Sequence, residues 1–227
     1  MTDSLLPSVS LFLGIIPAFV LLYISLKGYD ELYKEKHLYL TFIIGCILGV
    51  VSVLIETAVA AGIGLFFVVL LFPILEQVLK TMVLNIRRFQ TKKETVIYGL
   101  SLGLGFGSIF TPFSLINTES RIESPITSIL IVWIVIGSFG IILLHGATGA
   151  LVGYAVYTRK MTRYISSAVL VYIPVVLFTN IFIGESLQIG IVVYGGIIYW
   201  YVTTKILPQI QPDHRRRQRQ SKQRKTI

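Results

Sequence analysis

Long apolar runs separated by short polar segments dominate the chain. A helix needs roughly 20 apolar residues to cross a hydrocarbon core of about 30 Å. Seven runs are long enough, and their apolar residues are continuous, whereas the strands of a membrane barrel would alternate apolar and polar residues. The pattern predicts an all-α, polytopic membrane bundle of about seven transmembrane helices, near residues 5–26, 38–61, 63–86, 95–117, 126–158, 163–183 and 186–206. The fifth run exceeds one perpendicular crossing, so we expect a tilted helix or one that begins in the interface.

The composition excludes a water-soluble enzyme. Of the 227 residues, 54% are hydrophobic and only 14% are charged, and the mean hydropathy is +0.78. A soluble domain carries about 25% charged residues. The single Cys46 excludes an internal disulfide framework and a Cys-based zinc site. The lipid bilayer is therefore the first expected partner.

The distribution of basic residues predicts the orientation. With seven spans, 18 of the 20 Lys and Arg residues fall on one side, in the first, third and fifth loops and after the seventh span. The positive-inside rule then puts the N-terminus outside and the C-terminus in the cytoplasm, and we take the cell membrane as the location.

Two regions follow from this pattern. Residues 1–207 are predicted to form the transmembrane domain, and residues 208–227 a basic cytoplasmic tail that is disordered. We expect the tail to contact anionic lipid. Its alternative interpretation is RNA or ribosome binding, but nucleic acid is not the expected partner in a membrane protein of this kind.

Small residues recur every four positions in the fourth and fifth spans. This spacing lets helix backbones approach closely in lipid. It predicts helix packing through Gly99, Gly103, Gly107, Gly149 and Gly153. A packed cluster that frames a cavity is the functional alternative.

Ionisable side chains inside apolar spans are the candidates for function. Glu76 and Lys80 lie four residues apart in the third span, so they share one helix face. Either the two charges neutralise each other, or they face a wet cavity in which Lys80 keeps Glu76 ionised. Gln77 adds an amide beside them, and Asn180 in the sixth span adds another.

His145 in the fifth span lies at a similar depth to Glu76. Glu76 is 11 residues from Arg87, and His145 is 14 residues from Arg159. At 1.5 Å per residue the two depths differ by about 5 Å. A carboxylate and an imidazole at one level can meet across two helices, and such a pair is the minimum for general-base chemistry on water.

Three motifs in this order resemble the PrsW family of intramembrane proteases, which is related to the CAAX-processing and bacteriocin-processing membrane proteases. Glu76-Gln77-Val78-Leu79-Lys80 resembles the family's Glu-Glu-x-x-Lys helix. Gly103-Leu104-Gly105-Phe106-Gly107 resembles the glycine-rich start of its next helix, and the stretch from His145 to Tyr154 resembles its His-to-Gly helix. The resemblance covers roughly residues 60–185. It implies that Glu76 activates water and that His145 orients it or stabilises the oxyanion.

The motifs are degenerate. Gln77 stands in place of the second Glu, Phe110 and Thr111 stand in place of a Glu-Asn pair, and Val176 takes the place of a second His ahead of Asn180. No cofactor is specified. If a divalent metal such as zinc were bound, Glu76 and His145 would be its ligands.

Three hypotheses remain open. The first is an intramembrane peptidase with a transmembrane protein as substrate, in which a water-filled cleft brings Glu76 and His145 together. The second is a catalytically degenerate relative that binds transmembrane partners or lipids. The third is a small transporter gated by Glu76 and Lys80, although no internal repeat supports it.

Overall fold

A computed structural model describes residues 6–60, 62, 64–121, 127–181 and 185–211. These residues form eight α-helices and, among them, no β-strand: α1 Leu6–Leu26, α2 Glu35–Ala60, α3 Leu65–Leu84, α4 Thr95–Ser108, α5 Phe110–Arg121, α6 Ser128–Thr158, α7 Met161–Ile181 and α8 Glu185–Tyr201. Short 3-10 and π turns flank them at Asp30–Leu32, Val202–Ile206 and Leu207–Ile210. The predicted all-α bundle is confirmed.

Six segments of the described chain are long and apolar enough to cross a membrane: Glu35–Val59, Leu65–Leu84, Thr95–Thr118, Ser128–Thr158, Met161–Thr179 and Leu187–Ile210. A shorter apolar helix, Ser10–Leu26, precedes them within α1. The chain is thus an integral membrane protein. α6 has 31 residues, about 46 Å of helix at 1.5 Å per residue, so it exceeds the hydrocarbon thickness as expected.

One boundary differs from the sequence-based expectation. The run 95–117, expected as one helix, is divided into α4 and α5 at Ile109. At the boundary predicted for the tail, Leu207–Ile210 is helical and Ile210 is fully buried. Residues 212–227 lie outside the described chain, so the tail itself stays a prediction.

α4 is the central helix, and all of its residues are buried. Its glycines allow α6 to approach one side. A Cβ atom on Gly103 would lie 2.0 Å from the carbonyl oxygen of His145, and one on Gly107 would lie 2.8 Å from Cα of Ile142. On α6, a Cβ on Gly149 would lie 2.2 Å from the carbonyl oxygen of Gly99. Only glycine permits this distance between the two backbones.

The same kind of contact holds α2 on the other side of α4. A Cβ on Gly45 would lie 2.1 Å from the carbonyl oxygen of Leu102, and one on Gly105 would lie 2.2 Å from that of Phe42. The predicted glycine pattern thus lies at the helix contacts, and a Cβ on Gly153 would likewise lie 2.4 Å from the carbonyl oxygen of Thr95. α4 is held between α2 and α6 with little freedom to shift.

The loops that carry basic residues meet at one end of the bundle. Arg88 after α3 contacts His37 at the start of α2, and the backbone N–H of Lys34 donates to the hydroxyl of Tyr98 over 3.1 Å. Tyr154 near the end of α6 donates to Oε1 of Gln209 over 2.5 Å. We call this end the basic face. Its assignment to the cytoplasm stays a prediction.

Candidate functional site

One stripe of α3 carries polar groups into the bundle. Its buried residues recur at helical spacing, from Val69 through Phe72 and Glu76 to Lys80. Glu76 is 1% exposed, and Gln77 and Lys80 are fully buried. The opposite stripe is exposed and apolar, with Phe66, Leu70, Ile74, Val78 and Met82. This division turns the ionisable residues of the span inward, where other helices can satisfy them.

α6 brings His145 to the same place. Its imidazole is fully buried, and Nδ1 lies 3.8 Å from Oε2 of Glu76. The structure therefore brings together the acid and the imidazole that the sequence analysis singled out, from separate helices. The depth argument accounts for this meeting, because both residues lie near the middle of their spans.

Lys80 interacts with His145 rather than with Glu76. Its Nζ lies 2.9 Å from Nδ1 of His145 and donates to Oγ1 of Thr148 over 3.1 Å and to Oε1 of Gln77 over 3.4 Å. An ammonium group has three N–H donors, so all three have an acceptor. Among the described residues no Lys80–Glu76 ion pair lies within 4 Å. Of the two alternatives for Glu76 and Lys80, a close ion pair along the α3 face is therefore not formed, although the two charges still interact electrostatically.

Tyr172 of α7 completes the cluster, and the sequence analysis missed it. Its hydroxyl lies 3.1 Å from Nε2 of His145 and donates to Oε1 of Glu76 over 3.5 Å. Tyr172 is one helical turn before Val176, where the resemblance implies a histidine. This spacing of four residues puts Tyr172 on the same face of α7 as the expected histidine position, and it was the clue in the sequence that Tyr172 reaches the site.

These contacts determine the direction of the hydrogen bonds. Because Lys80 donates to Nδ1 of His145, the imidazole proton is on Nε2, and this N–H donates to the oxygen of Tyr172. The hydroxyl proton of Tyr172 is then directed at Glu76. The result is a continuous relay from Lys80 through His145 and Tyr172 to Glu76.

Aromatic rings enclose the imidazole. The ring centroids of Phe106 and Phe110 lie 4.8 and 5.0 Å from that of His145, and Tyr172 lies at 4.8 Å. Phe106 also lies under Nζ of Lys80, 4.7 Å from its centroid. Together with the close α4–α6 contact, these rings leave the imidazole one orientation.

Several polar atoms in this region lack a hydrogen-bond partner within the described chain. They include Oε2 of Glu76, Nε2 of Gln77 and Oγ of Ser52, all buried. Ser52 of α2 lies beside the Glu76 carboxylate, and the half-buried Glu56 on the same helix interacts with it electrostatically. Buried polar groups are almost always paired with protein or water. A small polar molecule between Glu76 and Ser52 would satisfy two of them.

The cluster is closed to solvent. Glu76, Lys80 and His145 are at most 1% exposed, so the expected water-filled cleft is not what the structure has at this site. Three cavities of about 420, 290 and 310 Å³ lie between α1 and α2, between α7 and α8, and between α3 and α7. None of these three is lined by a residue of the cluster. The aromatic rings and the glycine contacts fill the space that a cleft would need.

Two further predictions concern Asn180 and a metal site. Asn180 lies near the end of α7, and its side chain is outside the described part of the chain. Within the described residues, no group of three or more His, Cys, Asp or Glu side chains is placed to hold a metal ion. Glu76 and His145 bring two potential ligands together.

The chain matches no family model, no curated protein and no solved structure. The resemblance to PrsW-type proteases therefore depends on the sequence motifs and stays a prediction.

Proposed function

We propose that this protein is an intramembrane peptidase of the PrsW type, located in the cell membrane, which hydrolyses a peptide bond of a membrane-spanning substrate. One observation carries the proposal: a buried carboxylate on α3, with one unpartnered oxygen, lies 3.8 Å from an oriented imidazole on α6. Buried acid–imidazole pairs are costly to place inside a membrane, and their usual justification is chemistry.

Each member of the cluster has a role in this reaction. Oε2 of Glu76 and the hydroxyl of Ser52 hold the attacking water, and Glu76 takes one of its protons. The hydroxide adds to the carbonyl carbon of the substrate. The hydroxyl of Tyr172, which accepts from Nε2–H of His145, turns its proton from Glu76 to the carbonyl oxygen as that oxygen becomes negative. When the C–N bond breaks, the proton held by Glu76 passes to the leaving nitrogen. Lys80 is a positioning residue that fixes the imidazole tautomer.

Substrate entry requires the closed cluster to open. Glu76 and Tyr172 lie on α3 and α7, and a groove of about 310 Å³ lies between these two helices, lined by Val78, Thr81, Met82, Asn85, Ile86 and Ile165. We propose that the substrate reaches Glu76 by separating α3 from α7. Because the lining is mostly apolar, the groove suits an unwound transmembrane segment.

The test compares cells that express the wild-type chain, Glu76→Gln or His145→Ala. New N-termini of membrane proteins are mapped by terminal-peptide mass spectrometry. We expect a set of cleaved substrates with the wild type that both variants lose by 100-fold or more, about the contribution of general-base catalysis. Glu94→Gln is the matched control, since Glu94 precedes α4 at the basic face, outside the cluster.

Cleavage products that persist in Glu76→Gln at wild-type levels would overturn the proposal. Protein levels in the membrane are measured in parallel, so that loss of cleavage is not confused with loss of folding. Glu76→Gln keeps the size of the side chain and its ability to accept from Tyr172, which favours a folded variant.

A non-catalytic partner-binding protein is the second candidate function. The closure of the cluster favours it, as does Lys80, which occupies Nδ1 of His145 at 2.9 Å. Under this alternative, crosslinking captures the same membrane partners with the wild type and Glu76→Gln in equal amounts, and no new N-termini form. A peptidase instead accumulates uncleaved partners only in Glu76→Gln.

A further inference from the structure

A second candidate site lies at the basic face, far along the chain from the Glu76 cluster. It is a cavity of about 420 Å³ between α1 and α2, roofed by the 3-10 turn Asp30–Leu32. One end is apolar, with Phe19 and Leu22, and the other end carries Lys27, Asp30 and Glu35. The cavity therefore suits an amphipathic ligand.

The direction of the cavity matches the direction of a lipid. Phe19 precedes Lys27 by eight residues on α1, about 12 Å along the helix axis. The charged end thus lies at the level of the loops, and the apolar end extends toward the hydrocarbon. Phe19 is 38% exposed and Tyr23 is 77% exposed, so the cavity opens sideways, where a lipid would enter from its own leaflet.

The charges at the polar end of the cavity indicate which lipid headgroup it would bind. Lys27 supplies one positive charge, and Asp30 and Glu35 supply two negative charges. Among the described residues, no ion pair within 4 Å joins these three side chains. Burial raises the pKa of Tyr33, which also lines the cavity, and Asp30 and Glu35 raise it further. The carboxylates of Asp30 and Glu35 thus both lie close enough to the Tyr33 hydroxyl to act on it. Two carboxylates beside an aromatic ring form an arrangement that attracts an ammonium group.

From this arrangement we infer that the cavity binds a zwitterionic aminophospholipid of the phosphatidylethanolamine type. Its phosphate contacts Lys27, its ammonium group contacts Asp30 and Glu35, and its acyl chains extend past Leu22 and Phe19. An anionic phospholipid such as phosphatidylglycerol has no positive group to offer the two carboxylates. The site is thus distinct in its preference from the basic tail, for which anionic lipid is expected.

Native mass spectrometry of the full chain in detergent tests the inference. Equal amounts of phosphatidylethanolamine and phosphatidylglycerol with identical acyl chains are added, and the bound lipids are counted. Because the basic tail is expected to bind phosphatidylglycerol, the quantity compared is the ratio of ethanolamine to glycerol adduct in wild type and variant. We expect the double variant Asp30→Asn/Glu35→Gln to lower this ratio about fivefold, the effect of one favourable ion pair.

Two control variants test whether the lipid preference arises at this cavity. Glu94→Gln removes an acid at the same face outside the cavity and should keep the wild-type ratio. Lys27→Glu should lower binding of the ethanolamine lipid, whereas Lys36→Glu, on a side chain that does not line the cavity, should not. Thermal unfolding of each variant verifies that it is folded.

Two outcomes would overturn the inference. One is a ratio that the double variant leaves unchanged. The other is full displacement of the lipid by free phosphoethanolamine at the same concentration, because the site would then recognise a soluble amine rather than a lipid. We expect no displacement, since the free headgroup lacks the acyl chains that occupy the apolar end.

Discussion

At the residue scale, Lys80 shows why a buried charge need not pair with the nearest acid in the sequence. A charge taken out of water needs full hydrogen bonding to be tolerated. Glu76, one helical turn away, offers one partner at most, whereas Gln77, His145 and Thr148 together accept all three N–H donors. The helix therefore turns Lys80 toward α6. This leaves Oε1 of Glu76 to accept from Tyr172, while Oε2 has no partner within the described chain.

Tyr172→Phe is the sharpest test of the relay. The change keeps the ring against His145 but removes the hydroxyl that joins Nε2 of His145 to Oε1 of Glu76. We expect the Glu76-dependent cleavage rate to fall about 100-fold, the usual effect of losing one oxyanion donor. The measurement is the initial rate of product formation at matched protein levels in the membrane.

Tyr194→Phe is the matched control for Tyr172→Phe. The hydroxyl of Tyr194 donates to the carbonyl oxygen of Val171, also on α7, over 2.8 Å, so its loss also removes one hydrogen bond but leaves the cluster intact. We expect its cleavage rate to stay within about twofold of the wild type, because hydrogen bonds between membrane helices contribute only about 0.6 kcal/mol on average. Equal rates for the two variants would remove Tyr172 from the reaction.

The sequence predicted Glu76, Lys80 and His145 of the cluster but not Tyr172. Glu76, Lys80 and His145 are conspicuous because ionisable residues are rare in apolar runs. Tyr172 is not, since tyrosine is common at membrane interfaces and in packed helices. Nor does any sequence pattern report which acceptor Lys80 prefers, because Thr148 and His145 approach it only after α3 and α6 have packed.

At the element scale, the glycine spacing predicted a close helix contact, and the structure shows that α4 and α6 form it. Gly99, Gly103 and Gly107 repeat every four residues, which indicates one face. The spacing does not say which helix covers that face. α6 covers it because Gly149 and Gly153 on α6 also have no side chain, which leaves space for the backbone of α4. The break between α4 and α5 at Ile109 was not predicted, because the apolar run continues through it. Pro112 accounts for the break, since it has no N–H to donate to the carbonyl oxygen of Ser108, where α4 ends.

Gly103→Ala tests whether this contact positions His145. A methyl group there would lie 2.0 Å from the carbonyl oxygen of His145, so α4 and α6 must separate. We expect a loss of about 3 kcal/mol in the free energy of unfolding, at the upper end for overpacking. A titration from mild detergent into SDS measures this free energy.

Gly196→Ala in α8 is the control, because a Cβ atom there meets nothing within 4 Å. We expect this variant to be as stable as the wild type or more stable by up to about 1 kcal/mol, the helix propensity of alanine over glycine. Equal stability of Gly103→Ala and Gly196→Ala would mean that α4 and α6 tolerate a wider separation than the structure has.

At the scale of the whole molecule, the basic face unites segments that are far apart in sequence. The loop before α2 and the loop after α3 meet there through His37 and Arg88, and the end of α6 contacts the segment after α8 through Tyr154 and Gln209. The odd-numbered predicted loops lie at this end because an even number of crossings separates them. A different number of spans would have scattered these basic residues over both ends. The single basic face therefore follows from the helix count together with the charge pattern.

This arrangement yields a prediction about which end faces the cytoplasm. In a Cys46→Ala background, Lys92→Cys places a thiol at the basic face, and Gly64→Cys places one between α2 and α3 at the opposite end. Both positions are exposed. We expect a membrane-impermeant maleimide to label Gly64→Cys in intact cells and Lys92→Cys only after permeabilisation, since the positive-inside rule retains basic loops in the cytoplasm. The reverse pattern would place the basic face outside, and with it the lipid cavity between α1 and α2 in the outer leaflet.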